Sequence, residues 1–221
     1  MKASPAAQDY LKALWQIGWE RPDDGVVGTK EVADRLGVSA ASATNMLKKL
    51  GSMGLVDHEP YRGAALTEGG RKIALEVIRH HRLLETYLAE ALGVPWDRVH
   101  DEAEVLEHVL SEDLEDRIAA TLGEPSFDPH GHPIPTKDGS MPEPSGRSLW
   151  DARDGERVAV ARVRDDHSEA LTYLAEVGIR PGANLEIVER GPVGGPLFVK
   201  IEGADEIHAF SRELSESVWV A

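Results

Sequence analysis

The sequence predicts a mainly α-helical chain that ends in a small β domain. Three observations predict it. Apolar residues recur at helical spacing through roughly the first 120 positions. A stretch rich in Pro, Gly and Ser without periodicity follows at 124–148. From about Leu149 the apolar pattern shortens to the alternation of strands.

The length of 221 residues allows one large or two small domains, with 41% hydrophobic and 29% charged residues. Cysteine is absent, which excludes disulfides, iron–sulfur clusters and thiolate metal sites. No apolar run reaches membrane-spanning length and MKASPAAQDY holds no signal-peptide core, so a cytoplasmic location is expected. The net charge of −15 is unevenly spread. Residues 1–75 carry ten Lys/Arg against nine Asp/Glu, whereas residues 76–221 carry fourteen against thirty. The first part is therefore free to meet a polyanion.

In chain order, AAQDYLKALWQIGWE (residues 6–20) places Leu11, Leu14, Trp15 and Trp19 on one helical face. Arg21 to Gly28 reads as a loop. Thr29 is expected to cap a short helix from Lys30 to Leu36, which Gly37 ends. Ser39 caps the next, from Ala40 to about Met53, giving a helix, a tight turn and a second helix. On that second helix Ala43, Leu47 and Leu50 are expected inside. Ser39, Ala41, Ser42, Thr44, Asn45, Lys48 and Lys49 form the outer side. Small residues permit close approach to a major groove and lysines reach phosphates, although Ala/Ser-rich helix starts are also common for purely structural reasons. Leu55 to His58, a turn at Tyr61-Arg62-Gly63 and Ala64 to Thr67 read as a two-stranded wing, with Arg62 at its tip as a phosphate contact. Together these predict a winged helix-turn-helix that binds DNA.

Thr67 caps a long helix from Glu68 to Leu92, broken by Gly93, Val94 and Pro95. A further helix is expected from Val99 to Leu122. Four of the nine histidines fall between Arg79 and His108, beside carboxylates. On an unbroken helix at about 100° per residue, His100, Glu104, Glu107 and His108 share one arc beside the apolar stripe Val99, Ala103, Leu106 and Leu110. His81 and Glu85 are again i,i+4. Solvated His–Glu pairs explain one such face, but crowded and partly buried carboxylates call for a cation. His100 and His108 would lie about 12 Å apart along the axis, which implies two metal positions. His130 and His132 read better as part of a packed loop, because Pro and Gly flank them. Beyond a linker, Arg157–Val163, Asn184–Glu189, Leu197–Ile201 and Ser217–Val220 read as strands. Ser168–Val177 reads as a short helix, and GPVGGP as a hairpin turn, so a small SH3-like β-barrel is expected.

This order of parts, together with HHRLLE, VHDEAEVLEH, HGHPIP and GIRPG, resembles the diphtheria-toxin-repressor family of metal-dependent transcriptional repressors over essentially the whole chain. The resemblance implies a winged domain over residues 1–75, a helical metal-binding and dimerisation domain over 76–140 and a linker at 141–150. An SH3-like, FeoA-like domain follows over 151–221. It implies a cytoplasmic homodimer on double-stranded operator DNA. The primary metal site would use Asp9, Glu104, Glu107 and His108. The ancillary site would use His81, Glu85 and His100 with a barrel residue, His167 by ungapped counting or else Glu169 or Asp166. Iron-sensing members place sulfur ligands where Asp9 and Glu104 stand here. Oxygen donors favour Mn(II) and leave Fe(II) open, with Zn(II), Co(II) or Cd(II) as substitutes. The manganese-sensing branch has a further glutamate where this chain has Lys12, which argues against a two-manganese primary cluster. Two rival readings are a winged-helix protein whose metals are purely structural, and a carboxylate-rich metalloenzyme. The second lacks H-E-x-x-H, and a Glu-x-x-His motif ending at His108 would need glutamate where Val105 stands.

Overall fold

The computed structural model describes residues 3–19, 25–59, 62–142, 146–165 and 167–221. Tyr61 of the predicted turn, Pro22 of the predicted loop and Asp166 lie outside the described residues. The chain divides into two compact units. One contains Met1–His81, Leu106–Glu112 and Pro135–Met141. The other contains Arg82–Val105, Asp113–Ile134 and Pro142–Ala221.

In the first unit, α1 (Pro5–Trp19), α2 (Thr29–Arg35) and α3 (Ala40–Ser52) precede the wing strands β1 (Val56–Glu59) and β2 (Gly63–Leu66). Leu11, Leu14, Leu47, Leu50, Val32 and Ala43 are buried in one core with Tyr10, Trp15, Leu75 and Ile78. Thr29 is the first helical residue rather than the cap; Gly28 precedes it and donates its N–H to Glu31 Oε2 at 2.9 Å. Ser39 caps α3 as expected, accepting from Ser42 N at 3.1 Å. The wing pairs antiparallel, with Glu59 opposite Gly63, and Val27 bridges Ala64 along its edge. Gly63 is required there. Its φ is +135°, and a Cβ would come within 2.4 Å of the Val27 carbonyl oxygen.

Helix α4 (Glu68–Glu90) begins where Thr67 Oγ1 accepts from Gly70 N at 3.2 Å. The helix expected from Val99 to Leu122 is instead two: α5 (Val99–Leu106) and α6 (Glu112–Thr121). The break has an identifiable cause. Glu107, 1% exposed, turns inward to buried partners, and its carbonyl oxygen lies 3.2 Å from His80 Nδ1. A carbonyl left without a helical partner is thereby met by a side chain.

In the second unit, β3 (Arg147–Ser148), β4 (Arg157–Val163), β5 (Asn184–Arg190), β6 (Leu197–Ile201), β7 (Ile207–Phe210) and β8 (Val218–Val220) form one antiparallel sheet. Its order is β3-β8-β4-β5-β6-β7. Helix α7 (Ser168–Glu176) follows β4, and α8 (Arg212–Glu216) follows β7. Strands β3 and β7 and helix α8 escaped the sequence reading, because two to five residues carry too little periodicity to register. The core joins Val158, Val160, Leu171, Leu174, Ile187, Val199 and Phe210 with Leu149 and Trp96. No helix among the described residues is long and apolar enough to cross a membrane.

Gly70 offers a test of α4 packing. Gly→Ala inside a helix ordinarily stabilises by about 1 kcal/mol. Here the new Cβ would meet the Leu55 carbonyl oxygen at 2.0 Å. Gly70→Ala should therefore destabilise the protein by about 1–3 kcal/mol, read as a lowered midpoint in urea unfolding. An unchanged or raised midpoint would show that α4 can shift away from Leu55.

Candidate metal centres and DNA-facing surface

The first centre lies wholly in the first unit. Donor atoms of Asp9, Glu107 and His108 all fall within 4.8 Å of one another. Asp9 comes from the second turn of α1, whereas Glu107 and His108 come from the break that follows α5. His108 Nε2 is 2.9 Å from Asp9 Oδ1 and 3.6 Å from Glu107 Oε1. His108 Nδ1 lies 2.8 Å from Gln8 Oε1. An amide oxygen only accepts, so Nδ1 carries the proton and Nε2 is left to face the two carboxylates. Glu107 Oε1 is buried with no hydrogen-bond partner.

The other oxygen of Glu107 is neutralised from within. Lys12 Nζ is 2.7 Å from Glu107 Oε2 and 3.1 Å from His81 Nδ1, and His81 Nδ1 is itself 2.5 Å from that oxygen. Lys12 is only 5% exposed. Burial raises the Glu107 pKa, but the His81 hydrogen bond and the Lys12 charge outweigh it and hold the carboxyl below its ordinary value. Lys12 thus supplies the positive charge on the side of Glu107 away from His108. Glu104 belongs to the second unit, where its Oε1 is 3.7 Å from His100 Nε2 and its side chain is 43% exposed. The helix ends at Leu106, so Glu104 lies within α5 whereas Glu107 and His108 lie beyond it.

The second centre lies in the second unit. His100 Nδ1 is 3.1 Å from Glu85 Oε1 and 3.9 Å from Asp165 Oδ2. Glu85 and His100, which the resemblance assigns to an ancillary site, come together here. His81, assigned to the same site, also pairs with Glu107 in the first unit. His167 is exposed at the start of α7, beside a groove lined by Arg164, Ser168, Glu169 and Ser211. The barrel carboxylate beside His100 is Asp165, two residues earlier. Ungapped counting missed it because register across a loop cannot be read from one sequence.

Asp128, His130 and His132 also reach this region. The 128–134 loop folds tightly: Asp128 Oδ1 accepts from the backbone N–H groups of His130 and His132 at 2.8 and 2.9 Å. It lies flush on β4, with Val163 N donating to the His130 carbonyl at 2.9 Å. Only glycine fits at 131, where φ is +89° and a Cβ would lie 2.2 Å from the Ala161 carbonyl oxygen. The packed loop expected from the sequence is present, but its histidines turn inward to carboxylates. Burial opposes charge on His130, yet Glu85, Asp128 and Asp165 outweigh it and raise its pKa to about 9. Asp165 is held below the carboxylate range: burial raises its pKa, but His132, His100 and His130 bring it down.

On the winged domain Ser39, Ala41, Ser42, Asn45, Lys48 and Lys49 are exposed along α3, and Thr44 is half-buried with its hydroxyl donated to the Ala40 carbonyl. The inner face, Ala43, Leu47 and Leu50, is buried. Arg62 is exposed at the wing turn, 2.8 Å from Glu59 Oε2. That pair is solvent-screened and contributes little, so the guanidinium can leave it for a stronger anion.

Comparison with known proteins identifies relatives along the whole chain. Residues 2–64 match the family described as the N-terminal DNA binding domain of iron dependent repressors. Residues 67–136 match the metal binding and dimerisation domain of the same repressors, and residues 147–221 match the FeoA domain. The iron-dependent repressor IdeR of Mycobacterium tuberculosis is 33% identical over 224 residues, covering 96% of this chain and 94% of that protein. The diphtheria toxin repressor of Corynebacterium diphtheriae is 30% identical, covering 82% and 83%. Among solved structures, a manganese-dependent transcriptional repressor in complex with manganese is 45% identical with a TM-score of 0.89, covering 97% and 99% of the two chains. ScaR with bound Cd2+ is 29% identical with a TM-score of 0.83, covering 97% and 98%.

Removing the internal cation isolates its contribution. Lys12→Met leaves Glu107 buried with a diminished set of positive partners, and should cost about 3–5 kcal/mol of stability in the presence of chelator. Adding Glu107→Gln should recover most of that loss. A single variant as stable as the parent in thermal unfolding would show that Lys12 does not hold Glu107 ionised.

Proposed function

Because this chain belongs to the diphtheria-toxin-repressor family of metal-dependent transcriptional repressors, we propose that it represses transcription as a homodimer on palindromic operator DNA. Asp9, Glu107 and His108 receive the controlling metal. The family is one of regulators rather than enzymes. The observation that carries the reading is the meeting of Asp9, on the helix that leads into the winged domain, with Glu107 and His108 after α5. The donor set fits a divalent ion: two carboxylates and an imidazole whose Nε2 faces them, with one buried carboxylate oxygen lacking a hydrogen-bond partner.

A bound ion supplies the charge that lets Asp9 and Glu107 stay together. The residues do the rest. Gln8 orients the His108 ring, Lys12 and His81 hold Glu107 ionised, and Asp9 ties α1 to the 107–108 segment. Fixing α1 fixes the winged domain built on it, and with it the approach of α3 to a major groove. Metal affinity and DNA affinity are then coupled reciprocally. Val105, Leu106, Val109 and Leu114 are large apolar side chains left exposed in the matched dimerisation segment, and they supply surface for a second copy. We assign the second centre to Glu85, His100 and Asp165. Oxygen donors without sulfur favour Mn(II), the metal named for the 45% identical repressor, while Fe(II) is the alternative that the iron-dependent relatives bring. A cytoplasmic location accords with this role.

Fluorescence anisotropy on the protein's own promoter DNA tests the reading, titrated with Mn(II) and then with anaerobic Fe(II), Zn(II) and Co(II). Tight binding with Mn(II), lost in chelator, is expected; binding indifferent to metal would leave the sites merely structural. At limiting metal, Asp9→Ala should weaken DNA binding by about 5- to 150-fold, and unchanged metal dependence in a gel shift would sink the tether. Lys48→Ala should weaken binding to all sequences alike and reduce the slope of log K against log salt by about 1. A sequence-selective loss would instead make Lys48 a base reader.

A further inference from the structure

Glu76, His80 and Glu112 lie in the first unit and belong to neither centre described above. Glu76 and His80 are one turn apart on α4, and Glu112 is the first residue of α6. One donor atom of each falls within 4.8 Å of the other two. Both glutamates are exposed, whereas His80 is only 6% exposed. A carboxylate at a helix start and a Glu–His pair at i,i+4 are each ordinary, and neither marks a site alone. Here the two meet on one buried imidazole.

That imidazole is also oriented. His80 Nδ1 lies 3.2 Å from the Glu107 carbonyl oxygen. A carbonyl only accepts, so Nδ1 carries the proton and Nε2 holds the lone pair. A histidine that gives one ring N–H to a backbone carbonyl, with carboxylates beside it, has the usual posture of a metal ligand. The chain's own cation here is a weak competitor. Lys137 Nζ approaches Glu112 Oε2 at 3.6 Å, with the two side chains 44% and 66% exposed. A pair so open to water is screened, and it yields Glu112 to a divalent ion at little cost.

We propose that Glu76, His80 and Glu112 bind a divalent metal ion, with water completing its coordination. One imidazole and two carboxylates, without sulfur, suit Mn(II), Co(II) or Zn(II). The ion clamps the segment between α5 and α6 at both ends. Glu112 holds the far end directly, and His80 holds the near end through the Glu107 carbonyl. Glu107 and His108, the donors assigned to the controlling metal, lie within that segment. Occupancy of the clamp position therefore raises affinity at the controlling position, and the converse holds by linkage. That coupling rests on the reading of Asp9, Glu107 and His108; the clamp position itself does not.

The full-length chain, stripped with chelator, is titrated with Mn(II), and the free ion is read from its electron paramagnetic resonance signal. The double variant Glu76→Gln/Glu112→Gln should bind one Mn(II) fewer per chain than the parent, as should His80→Gln. The two glutamates are exposed, so the double variant carries the test if His80→Gln does not fold. Added to Asp9→Ala, the same two substitutions should remove one ion more than Asp9→Ala removes alone. A count that they leave unchanged in both backgrounds overturns the site, whatever Asp9→Ala does. Uptake that falls without a step of one ion marks adventitious binding to surface acids and also overturns it. The coupling is read from the Mn(II) concentration that gives half-maximal binding to promoter DNA, which should rise about 5-fold or more in the double variant. A lowered count with an unchanged midpoint overturns the coupling and leaves a clamp of local effect only.

Discussion

Three carboxylates, Glu85, Glu107 and Asp128, are closed off from water to a degree that would neutralise isolated acids, and Asp165 is largely shielded beside them. Their charge must be met inside the protein, and the rest of the structure follows from how it is met. Glu107 divides its two oxygens: one faces Lys12 and His81, the other faces His108 and Asp9. The first side is permanent, because lysine brings its own charge. The second is conditional, because an imidazole and another carboxylate balance Glu107 only when a cation joins them. The proposed switch rests on that asymmetry, with one half of the charge built into the chain and the other half left to the environment.

The same constraint explains the break between α5 and α6. A continuous helix would keep one more turn of backbone hydrogen bonds, each adding about 1 kcal/mol. Ending at Leu106 lets Glu107 turn inward while His80 meets its carbonyl. In the second unit the loop around Gly131 plays the corresponding part. It can bring His130 and His132 to Asp165 only because a residue without a Cβ lets backbone touch backbone at β4.

Much of this was legible beforehand. Apolar spacing marked the three helices of the winged domain, and Ser39 and Thr67 marked two of the helix starts. The inward set Ala43, Leu47 and Leu50 is the buried one. Asp9, Glu107 and His108 do come together. Glu104, Glu107 and His108 were expected on one continuous helix, whereas α5 ends at Leu106. His167 was counted across a loop of unknown geometry, and Asp165 stands at the carboxylate cluster instead. His130 and His132 were rightly placed in a packed loop, but packing was taken as an alternative to a ligand role. Here the packing is what aims their ring nitrogens.

The sequence alone determined the order of domains, the period of each element and the chemistry of the donors, because those depend on neighbours a few residues apart. It also determined that no cysteine thiolate enters any site, and that lysine stands at position 12. Only the tertiary structure decided which donors share a centre. Residues 9 and 107, or 85, 130 and 165, meet through packing between distant segments. Burial there sets the charge that each carboxylate must find, and neither depends on local sequence.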